Sequence, residues 1–183
     1  MIEMRFHGRG GQGAVTSAEL VAQAAIDTGK FATAFPSFGP ERRGAPVVAF
    51  ARLDEKPVRI RSKVYNPDVV IVLDPSLLEI ANPTEGLSKD GILVINSAEG
   101  PEAIRKQISF KGRLAVTDAT KIAREVIGLP ITNTTMIGAL VKATEAVTVD
   151  SLIEPFKRRF GKIAARNIEA MKRAFEETKI YEQ

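Results

Sequence analysis

The pattern of apolar and polar residues predicts several strands and one helix in the first third of the chain. Apolar residues alternate along residues 2–6, and a glycine-rich loop and a helical pattern from 14 to about 28 follow directly. Gly29 stands where a helix commonly ends. Three further strands are expected, at residues 31–35, 47–53 and 58–61. The short polar link between the last two is typical of a hairpin.

The middle of the chain predicts a parallel sheet. Three unbroken apolar runs lie at residues 69–73, 92–95 and 114–116, and strands of this kind are buried on both faces of a sheet. Helical patterns at 76–81 and 101–108 separate them, as in crossover connections. Further helices are expected at 119–127, from Asn133 through Val141, after Asp150, and at 162–179.

We therefore expect an α/β fold in one domain over residues 1–183. Its sheet is doubly wound and mostly parallel, with an antiparallel hairpin, helices on both faces and additional C-terminal helices. The length of 183 residues, the 44% hydrophobic content and the 26% charged content agree with one globular domain. No apolar run is long enough to cross a membrane, and the first residues lack an apolar signal-peptide core. The sequence thus predicts a cytoplasmic protein without a membrane partner.

Composition limits the chemistry that this chain supplies. It has no cysteine, which excludes a disulfide, a thiolate nucleophile and a cysteine-ligated metal or iron–sulfur site within the chain. Its one histidine, His7, excludes mechanisms that need two. The net charge of +4 suits an anionic ligand, whereas two Tyr and no Trp offer little surface for stacking bases. We expect no nucleic-acid partner, no metal site and no catalytic residue.

A glycine loop after the first strand is the strongest motif. Gly8-x-Gly10-x-x-Gly13 lies between a strand and a helix, where glycines let a phosphate approach the backbone and the helix N-terminus attracts an anion. Arg9 adds a positive charge. A nicotinamide site would need an acid at the end of the second strand, but that strand ends in Pro36-Ser37-Phe38. Alternatively, the glycines only permit tight packing of the strand on the helix.

A second loop, residues 36–46, carries two adjacent arginines. Arg42 and Arg43 have the forked geometry that binds phosphate, although an exposed, solvated pair is the alternative. In a doubly wound sheet both loops are expected at the carboxyl ends of their strands, where ligands bind.

Four other residues have both a structural and a functional interpretation. Asp74 ends a buried strand and either takes part in the site or caps the next helix, whereas Asp118 is expected to be a cap. Asn133 is expected to cap a helix or bind a ligand. His7 is expected to be a packed, hydrogen-bonded residue rather than a base.

Four stretches give the sequence a resemblance to the gamma subunits of 2-oxoacid:ferredoxin oxidoreductases of the pyruvate type. They follow the same order along nearly the whole chain: the glycine loop 8–13, the loop 38–46, the segment 133–139, and the tail 160–170. Ala45-Pro46 departs from the Gly-Gly-Thr form of relatives that act on 2-oxoglutarate. This departure favours pyruvate or a branched-chain 2-oxoacid.

The resemblance implies a subunit of a larger enzyme that is inactive alone. Such enzymes decarboxylate pyruvate on thiamine diphosphate, pass electrons through 4Fe-4S clusters to ferredoxin and transfer the acyl group to coenzyme A. Thiamine diphosphate and the clusters are expected in the alpha, beta and delta partner subunits, with ferredoxin contacted indirectly and no cofactor held by this chain alone. The alternatives are a stand-alone nucleotide-binding oxidoreductase and a purely structural assembly subunit.

The resemblance also implies that this chain contributes to coenzyme A binding. The expected binding residues are Gly8, Arg9, Gly10, Gly11, Gln12, Gly13, Ser37, Phe38, Gly39, Glu41, Arg42, Arg43, Asn133 and Thr134.

Overall fold

The structure is a computed structural model that describes residues 1–37 and 43–182. Seven strands, seven α-helices and one short 3₁₀ helix (Gly161–Ile163) occupy this part of the chain. The elements are β1 (Ile2–Arg9), α1 (Ala14–Asp27), β2 (Phe31–Pro36), β3 (Pro46–Asp54), β4 (Val69–Val72), α2 (Leu77–Ile80), β5 (Ile92–Asn96), α3 (Pro101–Ile108), β6 (Arg113–Thr117), α4 (Ala119–Val126), α5 (Asn133–Thr144), α6 (Val149–Phe160), α7 (Ala164–Glu177) and β7 (Lys179–Tyr181).

All seven strands join one sheet in the order β2-β3-β1-β4-β5-β6-β7. β1, β4, β5 and β6 run parallel to one another, while β3 pairs antiparallel with β1, β2 with β3, and β7 with β6. The expected mostly parallel α/β sheet is therefore confirmed. Its parallel centre is flanked by antiparallel strands on both sides.

The predicted hairpin of residues 47–53 and 58–61 is wrong. β3 instead pairs with β2, and residues 58–61 form no strand. Several backbone carbonyls of residues 57–67, which we call the strap, accept hydrogen bonds from side chains instead. The buried Arg52 side chain donates to the carbonyls of Ile60 (3.4 Å), Ser62 (2.7 Å) and Lys63 (3.3 Å). Guanidinium groups thus satisfy backbone oxygens that a sheet partner satisfies in a strand.

Several predicted boundaries also shift. Thr148, not Asp150, caps α6, and it exchanges hydrogen bonds with Ser151 as a capping box. The last helix begins at Ala164, after the 3₁₀ turn, and ends before β7, which the sequence pattern did not predict.

Helices cover both faces of the parallel centre. α1, α5, α6 and α7 pack on one face in the larger apolar cluster, and α2 and α3 pack on the other over β4, β5 and β6. The small-residue face predicted for α1 is fully buried at Ala18, Val21 and Ala25. None of the helices in the described ranges is long and apolar enough to span a membrane.

Candidate functional site

The glycine loop meets the loop between β2 and β3 at the carboxyl edge of the sheet. The Gly10 N–H donates to the Ala45 carbonyl at 2.8 Å, and the Gly44 N–H donates to the Gly10 carbonyl at 3.1 Å. The structure therefore brings the two sequence-predicted loops together at residues 43–45, where Arg43 is exposed. Ser37 is bonded through its backbone to Val48 (2.7 Å). The candidates Phe38, Gly39, Glu41 and Arg42 lie outside the described residues.

Arg9 is built into the wall of this edge. Its guanidinium donates to Asp74 Oδ2 (3.2 Å), Ser76 Oγ (2.8 Å) and the Gly44 carbonyl (3.0 Å). These bonds connect β1, the end of β4 and the second loop. Because Arg9 forms an ion pair with Asp74, much of its positive charge is neutralised. Its main role is therefore to hold the two loops in position.

Asp74 anchors the glycine loop to the neighbouring strand. It accepts hydrogen bonds from Gln12 Nε2 (2.7 Å) and from Ser76 Oγ (2.6 Å), while Gln12 Oε1 accepts from the Arg9 N–H at 2.7 Å. Burial acts to raise the pKa of Asp74, but the bonds from Ser76 and Gln12 outweigh it and lower the pKa below its ordinary value. Asp74 is thus an ionised residue that holds the loop in shape.

The N-termini of α1 and α5 converge behind the loop. Gly13 precedes α1 with a φ of 81°, and a Cβ there would lie 2.9 Å from Cγ of Asn133, the first residue of α5. Neither helix has a side-chain cap among the described residues. Free N–H groups and the partial positive charge of two helix N-termini therefore meet at this point. Only glycine at position 13 permits the approach.

Asn133 faces the loop with its side-chain nitrogen Nδ2, while its acceptor Oδ1 is buried and has no partner among the described residues. The residue is 7% exposed, and its Oδ1 has no hydrogen bond within the described part of the chain. The expectation that Asn133 caps α5 is wrong, because Thr132 occupies the cap position and the Asn133 side chain packs on Gly13. An unpaired buried acceptor costs free energy, and Nδ2 is the polar atom of this side chain that lies beside the loop, where it can donate to an anionic ligand.

Thr134 has a different environment from Asn133. It is fully buried, and its Oγ1 donates to Asn167 Oδ1 at 2.8 Å, while Asn167 Nδ2 donates to the Ile163 carbonyl at 2.9 Å. Thr134 therefore fixes α5 against α7. Ser76 and Asn167 were not predicted as site residues, since their partners lie far away along the chain.

The order of strands at this edge differs from that of a dinucleotide-binding fold. A nicotinamide site uses a β1–α1–β2 crossover between parallel neighbours, but here the antiparallel β3 lies beside β1.

Asp118 caps α4 by accepting from the Lys121 N–H at 2.9 Å, as predicted. Within residues 1–37 and 43–182, no group of three or more His, Cys, Asp or Glu side chains is placed to hold a metal ion.

Comparisons with known proteins agree on one family. The model of the pyruvate ferredoxin/flavodoxin oxidoreductase family matches residues 3–177. The chain is 53% identical over 184 residues to the common gamma subunit of pyruvate/ketoisovalerate oxidoreductases from Pyrococcus abyssi, and the match covers 100% of both chains. It is 51% identical to pyruvate synthase subunit PorC of Methanothermobacter thermautotrophicus, over 97% of this chain and 96% of that protein.

A solved structure gives the same result at the level of the fold. The crystal structure of pyruvate oxidoreductase subunit PORC from Thermotoga maritima superposes with a TM-score of 0.89 at 41% identity, over 99% of this chain and 98% of that one.

Proposed function

The chain belongs to the pyruvate ferredoxin/flavodoxin oxidoreductase family as one of its gamma subunits, and we propose that it binds coenzyme A at the edge formed by the glycine loop and α5. In this proposal the assembled enzyme oxidatively decarboxylates pyruvate to acetyl-CoA and reduces ferredoxin. Alpha, beta and delta subunits carry thiamine diphosphate and the 4Fe-4S clusters. This chain has no activity alone and supplies binding and positioning.

One observation carries the proposal. The glycine loop places two helix N-termini and the side-chain amide nitrogen of Asn133 at a single point. Helix N-termini favour a phosphate, and the Nδ2 group of Asn133 beside the loop can donate a hydrogen bond to it. Coenzyme A carries several phosphate groups. The donors at this point therefore fit the phosphate part of its chemistry.

The residues of this chain have separate roles at the proposed site. The Gly10–Gly13 backbone lets a phosphate come close, and the exposed Arg43 adds an unburied positive charge. Arg9, through Asp74 and Ser76, holds the two loops at a fixed separation. Coenzyme A supplies the thiol that takes the acyl group, and this chain orients it toward a neighbouring subunit.

The test is steady-state kinetics of the assembled enzyme with Arg43→Gln or Asn133→Ser in this subunit. Loss of the exposed charge of Arg43 should raise the KM for coenzyme A about two- to fivefold. Loss of the Asn133 hydrogen bond, worth about 0.5–1.5 kcal/mol, should raise it roughly two- to twelvefold. The KM for pyruvate should stay unchanged, because the proposal places that substrate in other subunits.

Arg59→Gln is the matched control for Arg43→Gln, since it removes the same charge from an exposed position on the strap. It should leave both KM values unchanged. If both site variants assemble normally and keep the wild-type KM for coenzyme A, the coenzyme A assignment is wrong and the subunit has a structural role.

A further inference from the structure

A second polar cluster lies on the opposite face of β1, away from α1. Met4 and Phe6 face the larger apolar core, so Arg5 and His7 face the other side. There the strap and the turn at residues 81–87 lie over β1 and β3. Arg5 is 9% exposed and His7 is 7% exposed. A cation and an imidazole are thus buried side by side, next to the edge described above and on the face of β1 that points away from α1.

The Arg5 guanidinium is held by neutral acceptors only. Nε donates to His7 Nε2 (3.0 Å), and Nη2 donates to the carbonyls of Pro83 (2.9 Å) and Glu85 (2.5 Å). Nη1 has one long bond, to the Val64 carbonyl at 3.5 Å. Within the described residues no carboxylate forms an ion pair with Arg5. Glu85 attracts Arg5 only from beyond ion-pair distance, and a second anion in direct contact with the guanidinium would lower the cost of burying its charge.

His7 presents a hydrogen-bond donor on the same side. Its Nε2 accepts from Arg5, so the proton of the neutral ring lies on Nδ1. Burial, followed by the charge of Arg5, lowers the pKa of His7 to about 3, which keeps the ring neutral near pH 7. No acceptor for Nδ1 is present among the residues that the structure describes. Arg5 and His7 therefore both have donor capacity to spare.

Both side chains line a pocket whose lining contains apolar and polar residues. Its volume is about 280 Å³. Val48, Phe50 and Leu77 form part of the wall, and Ser37, Lys63 and Tyr65 add polar groups. Pockets for drug-sized molecules measure about 300–1,000 Å³, so this one suits a small ligand.

We propose that this pocket binds a small organic carboxylate, which Arg5 and His7 Nδ1–H receive while a short apolar chain lies against Val48 and Phe50. Lys63 attracts the anion as it approaches. Among the described lining residues, Arg5 and Lys63 carry two positive charges and Glu85 carries one negative charge, so the lining has a net positive charge. Apolar walls favour a carboxylate with a short carbon chain over inorganic phosphate. The pocket adjoins the proposed coenzyme A edge at Gly8 and Ser37, but the carboxylate proposal rests on Arg5 and His7 and does not depend on coenzyme A binding.

The single histidine of the chain makes the test direct. In the full chain labelled with ¹⁵N-histidine, the imidazole nitrogen signals belong to His7 alone. Titration with acetate and with pyruvate, at constant ionic strength against chloride, should shift the Nδ1 signal along a saturable curve. Inorganic phosphate should saturate more weakly than either carboxylate. The Nε2 signal should keep the shift of an unprotonated acceptor throughout.

Lys63→Gln and Arg59→Gln form the matched pair of variants. Each removes one positive charge from the strap, but only Lys63 lines the pocket. Lys63→Gln should weaken carboxylate binding about two- to fivefold, as expected for a solvent-exposed charge, and Arg59→Gln should leave it unchanged. A linear, unsaturable shift in the wild-type chain overturns the site. Equal saturation by phosphate and acetate overturns the carboxylate assignment, and equal effects of both variants overturn the role of Lys63.

Discussion

Arg5 and His7, two residues apart on one strand, show how a buried imidazole beside a cation stays neutral. Burial, followed by the charge of Arg5, lowers the pKa of His7, and the neutral ring accepts a hydrogen bond from the guanidinium. The prediction that His7 is a packed, hydrogen-bonded residue is confirmed. The sequence did not indicate which residue would be its partner, because alternation along a strand places Arg5 on the same face without fixing side-chain contacts.

We predict that His7 makes the folded chain less stable in mild acid. The unfolded chain takes up a proton at His7 as the pH falls through 6.5, whereas the folded chain does so only near 3. The folded state therefore binds fewer protons between these values, and the free energy of unfolding falls as the pH falls. At about pH 4 this effect amounts to about 3 kcal/mol. Urea unfolding followed by circular dichroism across this pH range measures it.

His7→Gln is the matching variant, since its side-chain oxygen can still accept from Arg5 Nε and does not titrate. Its free energy of unfolding should fall less than that of the wild type between pH 6.5 and about 4, and the carboxylates common to both chains cancel in the difference. Parallel curves for the two proteins would show that folding does not lower the pKa of His7.

Gly11 and Gly13 of the glycine loop differ in the space that is available for a side chain. Gly11 and Gly13 both have a positive φ, 92° and 81°, but a Cβ at Gly11 meets nothing within 4 Å, whereas one at Gly13 meets Asn133. Gly11→Ala should cost about 1–2 kcal/mol from backbone strain. Gly13→Ala should cost more, because it also pushes Asn133 away. Thermal or urea unfolding of the two variants compares them, and equal losses would contradict the contact between the helix N-termini.

The strap shows why one element was mispredicted. Val58 and Ile60 alternate with Arg59 and Arg61 as in a strand, yet the segment lies over the sheet and pairs with none of its strands. Its carbonyls are bound by two arginines that stand on other strands, Arg5 and Arg52. A hydrophobic pattern reports local periodicity, whereas these contacts depend on residues far away along the chain. The buried parallel strands were predicted well because their patterns are determined by burial on both faces.

We predict that Arg52 is the main attachment of the strap. It is 2% exposed, and its Nε also pairs with Glu3 Oε1 at 2.6 Å. Arg52→Met should lower the free energy of unfolding by about 3 kcal/mol, because it removes a buried charge from its partners. It should also expose the strap to trypsin at Arg59, Arg61 and Lys63. Limited proteolysis with mass spectrometry identifies the cut sites.

Arg113→Met is the control for Arg52→Met. Arg113 also pairs with a glutamate, Glu182, at 3.1 Å, but both side chains are substantially exposed, so the loss should stay within about 1 kcal/mol. Trypsin should not cut the strap of this variant faster than that of the wild type. Unchanged proteolysis of Arg52→Met would mean that Arg5 and the apolar contacts hold the strap without Arg52.

At the scale of the whole molecule, the sheet has a buried parallel centre and two antiparallel margins. The candidate edge lies at the boundary between them, since β1 pairs with the parallel β4 on one side and the antiparallel β3 on the other. The centre could be predicted from the alternating strands and helices. The insertion of β3 between β2 and β1, and the addition of β7, depend on long-range pairing that no local pattern contains.

This arrangement predicts an order of hydrogen exchange across the sheet. β4 and β5 are buried at every residue and paired on both sides, so their amides should open only with global unfolding. β2 and β7 form the two margins, are largely half-exposed and should exchange first, with opening free energies well below the global value. Exchange of the isolated full chain followed by mass spectrometry resolves these segments. In the assembled enzyme, slower exchange at β2 or β7 alone would identify the margin that a partner subunit covers. Exchange of β2 as slow as that of β4 in the isolated chain would contradict the sheet order, because a marginal strand with one free side cannot share the protection of the centre.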